Sequence, residues 1–131
     1  LSFFTFSIEG EKMPSLGECD MDDELYDYIY LSFDTIESVW VDGIKRNGFD
    51  YCGVSTVEKD IKKLIDILLN WQKSFELLPN TIDISTSINP QTGEAIPCIY
   101  QKKDIINQLT QVVSICQKAI EMNKRVVVFG L

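Results

Sequence analysis

A long apolar stripe at helical spacing constrains this chain more than any other feature. Val57, Ile61, Leu64, Ile65, Leu68, Trp71 and Phe75 recur three or four residues apart for most of its length, which puts them on one face of an α-helix. Ser55 and Glu58 form a capping box ahead of the stripe, and Pro79 marks the exit. The spacing predicts a helix over Ser55–Leu78. Lys59, Lys62, Lys63 and Lys73 lie off the stripe and read as its wet face, supported by the Glu58–Lys62 spacing. Such a helix needs a second layer to bury its stripe against.

The pattern supplies that layer as strands. Ser2–Ile8 alternates, with Phe4, Phe6 and Ile8 on one side. Leu25–Phe33 is rich in aromatic and β-branched residues and reads as a strand, with helix as the alternative. Thr81–Ile88 alternates strictly. Ile96–Tyr100 is a short strand whose Pro97 suits an edge or a strand start. In Arg125–Leu131 the run Val126–Phe129 is unbroken, the look of a sheet centre covered on both faces.

Two further helices are expected. Asp34 and Glu37 make a capping box before Ile36, Val39, Trp40 and Ile44, with Asn47–Gly48 as the stop, giving a helix over Thr35–Arg46. Asp104 caps a helix with the stripe Ile105, Leu109, Val112, Val113, Cys116 and Ile120, closed by Asn123. Trp40 and Trp71 both fall on stripes and read as core. Glu9–Glu24 reads as a long acidic loop. The expected fold is α/β (or α+β), a single layered domain over residues 1–131, with a mixed β-sheet of about four or five strands and three helices packed on it.

Charge is divided unevenly. Residues 1–60 hold fourteen of the twenty acids and four bases, a sum of −10, while the remainder carries +2. Glu18 to Asp27 places six carboxylates in ten residues with no base among them. A field of this sign favours a cationic partner. It disfavours direct nucleic-acid binding, which needs Lys and Arg against phosphate, and an anionic membrane surface for the same reason.

Much chemistry is excluded by composition. There is no histidine, so Ser-His-Asp and Cys-His arrangements and His-ligated metals are out. No GxGxxG or GxxxxGK[ST] loop occurs. Cys19, Cys52, Cys98 and Cys116 form no CxxC pair. Cys98 and Cys116 read as small core residues, and Cys19 and Cys52 could pair though nothing requires it. Reduced thiols fit a cytoplasmic protein. No apolar run is long enough to span a membrane. Leu1–Ile8 lacks the basic start and cleavage site of a signal peptide. The chain does not begin with Met, which fits a few residues preceding Leu1.

The candidate partner-binding residues are therefore Glu18, Asp20, Asp22, Asp23, Glu24, Tyr26 and Asp27, with Tyr28 and Tyr30 adding amphipathic contact area. The competing reading is an ordinary solvated acidic loop. Asp20-x-Asp22 opens like an EF-hand loop, but Leu25 and Leu31 stand where its Gly and bidentate Glu belong, so calcium ranks low. No catalytic residue, metal ligand or cofactor is expected.

Two stretches carry a family resemblance. They are the helix Ser55–Leu78 running into Leu78-Pro79-Asn80-Thr81-Ile82-Asp83-Ile84, and Asp104–Met122 followed by Arg125-Val126-Val127-Val128-Phe129. With its acidity and lack of histidine, the chain resembles bacterial immunity proteins of contact-dependent growth inhibition and polymorphic toxin systems. The resemblance covers a little over half the chain and transfers no binding residue. It implies a non-enzymatic inhibitor of one cognate toxin domain with a basic surface, such as a nuclease. The alternative is a small metal- or ligand-binding domain, or a carboxylate-dependent enzyme.

Overall fold

The computed structural model describes residues 3–12 and 19–130. In chain order the elements are β1 (Phe3–Ile8), β2 (Asp20–Asp22), α1 (Asp23–Phe33), β3 (Glu37–Trp40), β4 (Lys45–Asn47), β5 (Val54–Val57), α2 (Ile61–Glu76), β6 (Thr81–Asp83), β7 (Ile99–Gln101), α3 (Lys102–Glu121) and β8 (Val126–Gly130). Six strands form one sheet in the order β2-β1-β8-β5-β3-β4, and β6 pairs with β7 in a separate ribbon. The pairings are antiparallel.

Register explains where the core sits. Residues directly opposite in an antiparallel pair share a face. Phe4 faces Met21, Phe6 faces Val128, and Ile8 and Val57 both face Val126. All of these are buried. The buried stripes of the helices join them in one cluster: Leu25, Ile29 and Phe33 of α1, Leu64 and Leu68 of α2, Leu109, Val112 and Cys116 of α3. The opposite face carries Phe3, Val127, Phe129, Val54 and Thr56, half-buried, with no described helix over it. This is the layered mixture of helix and sheet that the pattern implies, in its α+β form.

Several local expectations are corrected. Leu25–Phe33 is helical, not a strand: Leu25, Ile29 and Phe33 stack at i, i+4 and i+8 into the core, and packing overrides their β-propensity. The helix expected over Thr35–Arg46 is the β3–β4 hairpin instead. Trp40 N–H donates to the Ile44 carbonyl, and Gly43, at φ 78°, turns the chain. The Ser55–Glu58 capping box does not form, because Val54–Val57 is claimed by β8 as a strand and α2 starts at Ile61. The loop expected over Glu9–Glu24 ends early, in β2 and the first turn of α1. Among the described residues the sheet has six strands, and its pairings are antiparallel, not mixed. β8 is central, flanked by β1 and β5, but among the described residues its two faces are not equally covered: Val126 and Val128 are buried while Val127 and Phe129 are half-buried. Only Thr81–Asp83 of the expected strand Thr81–Ile88 pairs regularly, followed by an Ile88–Ala95 bridge.

One glycine is dictated by space. A Cβ on Gly130 would lie 2.2 Å from the Asp50 carbonyl oxygen and 2.5 Å from that of Tyr51. The 50–53 turn thus packs directly on β8, where Gly130 N–H donates to the Gly53 carbonyl at 2.8 Å.

Candidate functional site

The acidic stretch is divided by the turn from β2 into α1. Asp20 and Asp22 lie on β2, an edge strand, while Asp23 and Glu24 fall in the first turn of α1. Negative charge there complements the partial positive charge of the helix start. Part of this acidity is therefore built into the fold.

Asp22 is the most engaged of the group. Its carboxylate accepts from Tyr100 Oη at 2.7 Å and from Gln108 Nε2 at 3.0 Å. Its backbone N–H donates to Gln108 Oε1 at 2.9 Å. Gln108 thus reads both the amide and the acid, clamping α3 to the β2–α1 junction. The Tyr100 hydroxyl also lies 3.3 Å from a Glu24 carboxylate oxygen. Two acids from one turn thus converge on one phenol of β7.

The remaining acids behave differently. Asp20 accepts from Thr5 Oγ1 at 2.9 Å across β1 and β2. Asp27 accepts from Tyr51 Oη at 3.1 Å, and Asp23 acts on the same phenol through its charge. Glu18 lies outside the described residues. Among the described residues the ion pairs are Glu37–Lys45, Asp42–Arg46 and Glu9–Arg125, and none involves Asp22, Glu24 or Asp27.

Tyr26 needs correction as a contact residue. It is 2% exposed, stacks on Phe4 at 4.0 Å between ring centroids and on Phe33 at 5.3 Å, and belongs to the core. In α1 it shares the inward face with Ile29 and Phe33, three and seven residues on. Tyr28 and Tyr30 are each about two fifths exposed; the Tyr28 ring packs against Trp71 and Phe75 of α2, at 6.1 and 6.0 Å between centroids. Trp71 is half-buried, its Nε1 donating to Ser32 Oγ at 2.9 Å. Trp40 lies on β3, not on a helix, under the Arg46 guanidinium at 4.7 Å.

The phenols record the local field. Burial pushes Tyr100 far above the ordinary phenol range, and its bond to Asp22 adds to this. Tyr51 is raised by burial and then by Asp27. The Cys98 thiol is raised by burial first, then by the charges of Glu24, Asp83 and Asp22. Asp83 of β6 thus extends the negative region beyond the 18–27 stretch.

Sequence reasoning missed Tyr100, Gln108, Tyr51, Asp83 and Cys98, whose roles arise from contacts far apart in the chain. Cys98, expected as core, is half-buried at the surface; Cys19 and Cys116 are buried and Cys52 is exposed.

A larger open groove of about 620 Å³ lies between the end of α2 and the start of α3, lined by Glu76, Asn80, Lys102, Lys103 and Asn107. Lys102 Nζ there donates to the Glu76 and Leu78 carbonyls at 3.2 and 3.0 Å, capping the end of α2. Among the described residues no three His, Cys, Asp or Glu side chains gather closely enough to hold a metal ion, and no helix is long and apolar enough to cross a membrane. No protein family, curated protein or solved structure matches the chain.

Proposed function

We propose that this chain is an immunity protein, a non-enzymatic inhibitor that binds a cationic toxin domain of the nuclease class. The observation that carries the reading is the convergence of Asp22 and Glu24 on the Tyr100 hydroxyl, with Asp83 contributing to the same field and no described base in an ion pair with either of the first two. Carboxylates held side by side repel one another, and a Lys/Arg-rich surface relieves that repulsion while steering encounter. A nuclease cleft must attract phosphate, so it is basic and complementary to such a surface.

The test is binding of the purified chain to a basic toxin domain from the same host, followed by stopped flow across ionic strength. The expected result is one-to-one inhibition, with an on-rate that falls steeply as salt screens the charges. An on-rate indifferent to salt removes the acids as the steering element. Failure of any basic protein to co-purify from the host removes the reading itself.

A further inference from the structure

A small cleft opens between the first turn of α1 and the arm that joins β6 to β7. Ile84, Ile96 and Pro97 give it apolar walls, Thr86, Ser87 and Cys98 add short polar groups, and Glu24 supplies a carboxylate. Its volume is about 200 Å³. Drug-sized ligand sites occupy roughly 300–1,000 Å³, so this one suits a single long side chain better than a free metabolite.

The walls differ in character. Ile84 is fully buried and forms a fixed floor, whereas Ile96 is 48% exposed. The arm is held in place beneath the cleft. Ile84 N–H donates to the Cys98 carbonyl at 2.9 Å, Cys98 N–H to Asp83 Oδ1 at 3.1 Å, and the Ser85 hydroxyl to the Ile96 carbonyl. Asp83 therefore keeps its charge directly behind Cys98, and Asp22 lies beyond Glu24 across the Tyr100 hydroxyl.

We propose that this cleft receives one lysine or arginine side chain of a protein partner, its aliphatic stem against Ile96 and Pro97 and its charged head at Glu24. Long basic side chains bury their methylenes on apolar surface while keeping the head at a polar rim. An apolar slot that ends in a carboxylate, with two more acids behind it, is the complement of that shape and charge. A fatty or aromatic group would leave Glu24 facing it unpaired, and an acidic group would meet three carboxylates. The proposal rests on the immunity reading only for the identity of the partner; the slot's preference for a basic side chain is a property of this chain alone.

The first experiment uses N-acetyl-arginine amide as probe and N-acetyl-citrulline amide, its uncharged isostere, as control, observed by ¹H–¹⁵N NMR. The expected result is millimolar binding by the arginine probe, with shifts centred on Thr86, Ser87 and Cys98, and binding about tenfold weaker or worse for citrulline and for the Glu24→Gln protein. Equal shifts from both probes, or shifts centred elsewhere, overturn the proposal. The second experiment follows alkylation of Cys98 in the complex with the toxin domain. Protection that Glu24→Gln reduces supports the cleft as part of the interface. A toxin that binds while Cys98 stays fully reactive overturns its place in the interface and leaves the immunity reading standing. Arginine-selective occupancy without any toxin partner does the reverse.

Discussion

The Tyr100 hydroxyl donates a 2.7 Å hydrogen bond to the Asp22 carboxylate, joining β7 to the β2–α1 junction across 78 residues of chain. Asp22 therefore acts in stability as well as in charge. Replacing it with Ala strands Tyr100 and Gln108 together, and the expected cost is about 1–3 kcal/mol. Asp27→Asn, at a carboxylate that accepts from the hydroxyl of the exposed Tyr51, should stay within about 0.5 kcal/mol. Urea midpoints at an unchanged slope measure both.

Tyr26 and Tyr30 separate packing from recognition. Tyr26→Ala opens the aromatic cluster with Phe4, Phe33 and Phe49 and should destabilise by about 3–5 kcal/mol. Tyr30→Ala, on the outer side of α1, should leave the thermal midpoint nearly unchanged and speed dissociation from a toxin partner. A Tyr30 variant that unfolds early would place that ring in the core instead.

Alkaline pH should unfold the protein through its phenols. Burial raises the pKa of Tyr26 and Tyr100 above the ordinary value of 10.0. The native state then keeps a proton that the unfolded state releases. The stabilisation is complete below the unfolded value and drains away as pH rises past about 10 toward the native one, at about 1.4 kcal/mol per pH unit for the buried Tyr26. A spectrophotometric titration should show these phenols ionising with loss of structure. Ionisation of Tyr26 and Tyr100 near pH 10.0 with the fold intact would contradict this.

Gly130→Ala tests the contact between the 50–53 turn and β8. The new methyl group meets two backbone carbonyl oxygens, which cannot swing aside as a side chain can. The expected penalty is about 1–3 kcal/mol, with faster amide exchange at Gly53 and Gly130. Gly53→Ala should cost less, since its added carbon meets chiefly the Asp50 carboxylate.

Legibility in the sequence followed element length and the range of the contacts. α2 and α3 were readable because stripes of four or more turns leave little choice of period, and β1 and β8 because their apolar residues are dense. Short elements misled. Ile36, Val39, Trp40 and Ile44 fit a helix by spacing, yet Asp42–Gly43 was a hairpin signal within the same stretch, and the chain turns there. In α1 the aromatic content argued for a strand while the Leu25–Ile29–Phe33 repeat argued for the helix that forms. The count of acids around residues 18–27 was plain, but nothing local indicated that Tyr100 and Gln108 would hold Asp22, or that Cys98 and Asp83 would sit beside Glu24.

The position of β8 has a consequence for synthesis. It is the strand that joins β2-β1 to β5-β3-β4, and it pairs with β1 across more than a hundred residues. A nascent chain emerging from the ribosome must carry β1 with an unfilled backbone edge until Val126–Gly130 arrives. Such late closure makes folding slow and leaves the early product open to aggregation. Assembly of this sheet therefore waits on a strand made more than a hundred residues after β1, its partner.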